Sequence, residues 1–310
     1  MSDEQKYRVT LAGFTITFLG AILFSTKAII VKLAFRHTEM DALSLLALRM
    51  LFAFPFYAGA AWVSVRSKNA VPLTRKQWGA IIFLGLFGYY LSSLFDFVGL
   101  QYVTAGLERL ILFLYPTFAV LINVFVFKQK VNKLQILALA LTYAGVAYAF
   151  WGELQIDVNN PDFLWGSWLI FLCSVTFAIY IAGSGRVIPK IGAARFTAYA
   201  MLAATAGIFL HFILAGKLPA GGFSGIHWGY GLLLAVVATV LPSFMISLGM
   251  KKIGSSNVAI ISAIGPVSTI VQAYFILGEP LFTEQIVGTI LVIGGVLLIG
   301  WQPLKNVPAK

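Results

Sequence analysis

The chain is 310 residues long, 60% apolar and only 11% charged, with a formal net charge of +11. A soluble domain of this length needs far more polar surface, so the composition excludes an ordinary water-soluble enzyme and points to a membrane protein. The basic surplus alone would suit nucleic acid, but its placement, described below, excludes that partner.

Ten apolar stretches follow one another, each about the length that crosses ~30 Å of hydrocarbon. They are 11–33, 42–64, 77–98, 103–127, 134–151, 164–184, 195–215, 228–249, 255–277 and 281–301. The first is too long for a signal-peptide core and no small-residue cleavage site follows it, so it is expected to stay as a membrane helix. It carries Lys27, and Lys32 close enough to its end to snorkel. The second carries Leu48-Arg49; the third carries Tyr90 and Asp96; the fourth carries adjacent Glu108 and Arg109, then Tyr115 and Pro116. Cys173, the only cysteine, lies mid-way in the sixth beside Tyr180 and reads as packing. His211 in the seventh reads as a hydrogen-bonded or interfacial histidine. The eighth holds Pro242, and the ninth holds Asn257 and Pro266. No segment between spans is long enough to fold as a domain. Trp62, Trp78, Trp151, Trp165, Trp228 and Trp301 fall at span ends, as an aromatic belt does.

With the N-terminus in the cytoplasm, sixteen basic residues fall on inside segments, among them Arg66, Lys128, Arg186 and Lys251, against only Arg36 and Lys217 outside. Such a bias orients a multi-pass protein. It places both termini in the cytoplasm and the chain in the cell (inner) membrane.

Residues 91–151 and 241–301 align at a constant offset of 150 without a gap. Gly99 meets Gly249, Pro116 meets Pro266, Gln135-Ile136 meets Gln285-Ile286, and Gly145-Val146 meets Gly295-Val296. Helices 1 and 6 match more weakly near an offset of 153, Phe24 with Phe177 among them, and helices 2 and 7 show little. The repeat therefore has five spans, 11–151 and 164–301, with tails at 1–10 and 302–310. An odd number of spans inserts the second unit upside down. The basic 128–133 loop and its acidic counterpart 278–284 agree. Inverted repeats are a transporter signature, with a substrate site between the halves. Gly99 and Gly249 read as tight connections, and Gly145 and Gly294-Gly295 as close helix packing, within the bundle or at a homodimer face.

Ten spans in two inverted units, Leu48-Arg49, Pro116, Pro266 and Leu277-Gly278-Glu279-Pro280 together resemble the EamA-domain transporters of the drug/metabolite transporter superfamily. The resemblance covers nearly the whole chain. It implies an all-α membrane fold, a small-molecule carrier, commonly an exporter, and a cavity lined by helices 1, 3, 4, 6, 8 and 9.

Lys27, Arg49, Asp96, Glu108 and Arg109 all fall in the outer half of the membrane, judged by a rise of about 1.5 Å per residue. Charge at that depth is unfavourable and marks a functional candidate, although ion pairs that only fix helix register are the competing explanation. Asp96 or Glu108 is expected to pair across helices with Lys27 or Arg49. Glu108 and Arg109 diverge by about 100° and face different neighbours. The cluster would grip a substrate carboxylate or phosphate through Lys27 or Arg109, or act as an outer gate, and Glu108 is the candidate for a coupling proton. Tyr90, Tyr115 and Tyr180 are the expected cavity phenols, and Asn257 completes the candidate site. No P-loop, HExxH, GxSxG or cysteine–histidine grouping appears, so neither ATP-driven transport nor hydrolysis is expected, and no cofactor or metal. The reading is an alternating-access carrier of a small polar metabolite, an amino acid or related carboxylate, with export implied by the resemblance. The alternatives are uptake or exchange of an anionic or phosphorylated metabolite, and a non-transporting membrane enzyme or scaffold.

Overall fold

The structure, a computed structural model, describes residues 11–66, 72–126, 133–156, 161–216, 222–253, 261–262 and 264–300, and these are helical with no strand among them. They form ten spans. The first unit comprises α1 (Leu11–His37), α2 (Ala42–Arg66), α3 (Arg75–Gly99), α4 in two segments (Ala105–Leu112 and Tyr115–Phe125) and α5 (Lys133–Ile156). The second comprises α6 (Phe163–Ile191), α7 (Ala193–Leu214), α8 (225–253), α9 (Gly265–Leu277) and α10 (Thr283–Gly300). Six of these helices are individually long and apolar enough to cross a membrane. Large apolar side chains such as Leu19, Phe54, Ile82, Leu210 and Phe275 cover the outside of the bundle. Such a surface suits hydrocarbon and would aggregate in water. Trp62, Trp78, Trp151, Trp165 and Trp228 are exposed near helix ends, and Trp301 lies outside the described residues.

The 150-residue offset extends beyond the aligned segment. Thr74 caps α3, its N–H donating to Gln77 Oε1 at 2.8 Å. Ser224 caps α8 in the same way, its N–H donating to His227 Nδ1 at 2.9 Å. Such reciprocal boxes satisfy the orphan N–H groups of a first helical turn. Both helices then widen into a π-helical turn at matching places, Leu86–Leu91 and Val236–Val240. Both α4 and α9 have a segment that begins with a proline in its first turn, Pro116 and Pro266. A proline has no N–H to give to the preceding turn, so the helix restarts there.

The interfaces obey the same exchange. α1 packs on α8 and α9, while α6 packs on α3 and α4. α2 packs on α7 and α8, while α7 packs on α2 and α3. α5 and α10 pack on each other most extensively of all. A Cβ on Gly145 would stand 2.6 Å from the Gly288 carbonyl oxygen, and the reverse holds at the same distance. Gly145 is thus used inside the protomer, and its partner is Gly288; Gly294, expected at a packing face, meets nothing.

Several boundaries differ from the hydropathy reading. α6 continues through Pro189 to Ile191, and α8 runs to Ile253, so Gly249 is a buried helical residue and not part of a connection. Pro55 lies inside α2. Hydropathy reports where apolar character ends, whereas a helix continues while its backbone bonds are satisfied.

Candidate functional site

A cavity of about 70 Å³ lies where the two units meet. Residues on its wall from one unit have counterparts in the other. Gly88, Tyr89 and Ser93 of α3 face it, and so do Ala238, Thr239 and Ser243 of α8, each 150 residues on. Phe24 of α1 and Phe177 of α6, related by 153, do likewise. Arg49 reaches the wall from α2, Leu112 from α4 and Met201 from α7. The cavity therefore sits on the axis relating the repeats, and both π-helical turns open onto it. Wide turns of this kind recur at functional sites. The wall is close-packed behind: a Cβ on Gly88 would fall 2.2 Å from Tyr180 Cβ, so only glycine lets α6 approach there.

The symmetry fails in charge. Lys27, Arg49 and Asp96 line the cavity from the first unit, and among the described residues no ionisable side chain of the second faces them beyond Cys173. Lys27 Nζ lies 2.6 Å from Asp96 Oδ2 and 3.5 Å from Glu108 Oε1, so one ammonium on α1 bridges carboxyls on α3 and α4. Their side chains are 1% and 0% exposed, which makes the ammonium the principal compensation for both.

Arg49 is arranged otherwise. It is 5% exposed, and its Nη2 donates to Ser93 Oγ at 3.1 Å and approaches Met50 Sδ at 3.8 Å. Its guanidinium carbon lies 5.1 Å from the centre of the Phe97 ring, and Nε has no hydrogen-bond partner. Arg109 points away from the cavity into the junction of α1, α4 and α9. Its Nη2 donates to Ser25 Oγ at 3.3 Å, and the group rests against Phe24, Phe113 and the backbone at Gly265. Adjacent Glu108 and Arg109 thus serve different neighbours, as their angular separation requires.

The other sequence candidates divide. Tyr90 faces α7, where its hydroxyl lies 3.0 Å from His211 Nδ1, and Tyr89 takes the cavity position expected for it. Tyr180 is buried behind the wall and donates to Tyr89 Oη at 3.2 Å. Tyr115 is half-buried and packs edge-on against Phe113 and Phe177. Asn257 lies outside the described residues. Cys173, expected to be plain packing, reaches the cavity and contacts Ser92 Oγ at 3.2 Å. Helices 2 and 7 join the cavity lining expected from helices 1, 3, 4, 6 and 8, while α9 contributes no described residue to it.

Sequence reasoning missed the closure of the bundle face that holds the α1–α2, α3–α4 and α9–α10 connections. Gly278, at φ 69, turns the chain off the end of α9. Glu279 then places its carboxylate on the start of α4, accepting from Ala105 N–H at 3.1 Å and Gly106 N–H at 3.4 Å. Beside it, Arg36 Nη1 donates to the Leu277 carbonyl at 2.6 Å. A carboxylate at a helix N-terminus satisfies otherwise orphaned N–H groups and opposes the helix dipole. Both contacts tie the second unit to the first.

The chain and its fold have relatives. The model of the EamA-like transporter family matches residues 11–151 and again 164–301. The uncharacterized transporter YcbK of Bacillus subtilis is 31% identical over 96% of this chain and 94% of its own length. The uncharacterized transporter sll1319 of Synechocystis is 25% identical over 97% of each chain. A crystal structure titled only as that of a protein superposes with a TM-score of 0.65 at 18% identity, covering 94% of this chain and 97% of its own, which supports the fold alone. Two matched segments, each holding five spans around a shared cavity, together with a full-length relative above 30% identity, make this chain a member of the EamA-like transporter family.

Proposed function

We propose that this transporter moves a small polar metabolite, an amino acid or related carboxylate, across the cytoplasmic membrane by alternating access, in the direction of export. The observation that carries the reading is the cavity on the axis between the repeats, lined by equivalent backbone positions of both units and by charge from only one. Units 11–151 and 164–301 would rock against each other about that cavity, as related halves do in other carriers. The bias of basic residues supports cytoplasmic termini. It would put the Glu279 and Arg36 contacts on the outer face, where they would hold the carrier closed to the outside.

Asp96 and Glu108, adjacent and bridged by Lys27, are candidates to take up a coupling proton when the ammonium moves away. A second reading, exchange of an anionic metabolite, is favoured by three buried cations against two acids. Counterflow of labelled amino acids and dicarboxylates in proteoliposomes tests the proposal. Accumulation driven by the unlabelled partner supports carrier action on that class, and absence of flux for every solute would favour a scaffold.

A further inference from the structure

We infer that Arg49, and not Lys27, holds the charged group of the transported molecule, and that this group is a carboxylate on a compact apolar body. The inference rests on the transport reading above and specifies its chemistry.

The cavity is where a guanidinium has donors to spare. Arginine has five N–H donors in a planar fork and no acceptor. Among the described contacts of Arg49, one strong acceptor is present, Ser93 Oγ at 3.1 Å. No carboxylate comes within 4.0 Å of it among the described residues, and Nε is buried without a partner. A buried cation with idle donors is unfavourable unless something completes it. Asp96, the acid whose field reaches Arg49, is already held by Lys27 at 2.6 Å.

The other two cations differ from Arg49, Lys27 by its carboxyl partners and Arg109 by its place off the cavity wall. Lys27 faces two carboxyls, so an incoming anion would have to displace one of them and meet repulsion from the other. Arg109 is absent from the cavity wall and braces Ser25. With one available cation, the site suits a single negative charge. A planar carboxylate matches the guanidinium fork with two parallel bonds. A phosphate dianion would bring a second negative charge, and the cavity wall offers no second cation free of a carboxylate to match it. The rest of the wall selects the body. Phe24, Leu112, Phe177 and Met201 are apolar, and the cavity is small.

The test is thermal stabilisation of the purified full-length chain in detergent by a matched panel. Leucine and 4-methylpentanoate carry the carboxylate, leucinamide has it neutralised, and glycerol 3-phosphate supplies the phosphate. The wild type is expected to be stabilised by the first two and not by the others. Arg49→Met should abolish the effect. Arg49→Lys, which keeps the charge and loses the fork, should raise Kd roughly tenfold or more. Ser93→Ala should weaken binding by less. Should Arg49→Met fail to fold, the Lys variant carries the decision. Undiminished carboxylate binding by Arg49→Lys, with Lys27→Met abolishing it, would overturn the assignment while leaving the carboxylate class intact. Stabilisation by leucinamide equal to that by leucine, or by glycerol 3-phosphate alone, would overturn the class itself. Counterflow of leucine by the wild type separates these results from failure of the transport reading: stabilisation without flux would overturn transport and leave the Arg49 site standing, whereas absence of both would overturn the carboxylate class.

Discussion

Lys27→Met removes the ammonium shared by Asp96 and Glu108 and keeps most of the side-chain volume. The magnitude follows from what is left behind. Two carboxyls with side-chain exposures of 1% and 0% would face each other with no cation within 4.0 Å among the described residues. Removing one partner of a buried ion pair typically destabilises by about 3–5 kcal/mol, chiefly through the uncompensated charge. The second acid puts this variant toward the upper end of that range. The double change Lys27→Met with Asp96→Asn also removes one of the two negative charges. It should recover more than half of the loss, because neutral replacements of buried pairs are often nearly neutral overall. Thermal unfolding in detergent, followed by tryptophan fluorescence, reads the order directly: wild type first, then double variant, then single. A single variant as stable as the wild type would refute the reasoning, as would a double variant no better than the single. Either outcome would mean that water already solvates these carboxyls.

Gly88→Ala should destabilise by about 1–3 kcal/mol, since its Cβ would overlap Tyr180 at 2.2 Å, whereas Gly59→Ala, with nothing within 4 Å, should leave the unfolding temperature unchanged. Glu279→Gln keeps the shape and loses the charge on the α4 N-terminus, so stability should fall by about 0.5–2 kcal/mol, less in high salt. Equal loss at all salt concentrations would show that the carboxylate is not acting through its charge. Gly145→Val should separate α5 from α10 and lower the unfolding temperature at every protein concentration. A loss that appears only on dilution would instead place Gly145 at a contact between protomers.

Much of the architecture was legible because a membrane chain has few ways to be arranged. Ten spans of sufficient length and an odd repeat force the inverted topology. The pairing of charge between spans was also legible, and Lys27 links three helices through Asp96 and Glu108. What escaped was decided by local geometry. Tyr89 takes the cavity place expected of Tyr90, because lying on a lining helix does not say which of two neighbouring residues on the π-helical turn Leu86–Leu91 faces inward. The sequence offers Lys27 and Arg49 equally as partners for the acids, and only three dimensions give both acids to Lys27 and turn Arg49 to Ser93. Glu279 read as an outside loop charge, since its partners are backbone N–H groups that no residue letter reveals. Helices 2 and 7 share little sequence, yet they hold matching places in the two units, because apolar packing accepts many side chains in one backbone position.

The central claim is that the cavity between the repeats is the route of transport. Ser243→Cys in a Cys173→Ala background puts a single thiol on that cavity, on the unit that brings no charge to it. In oriented proteoliposomes, a membrane-impermeant thiol reagent should label it from either side when added to that side alone, and labelling should stop leucine counterflow. Labelling confined to one side in all conditions, with counterflow intact after modification, would contradict the account.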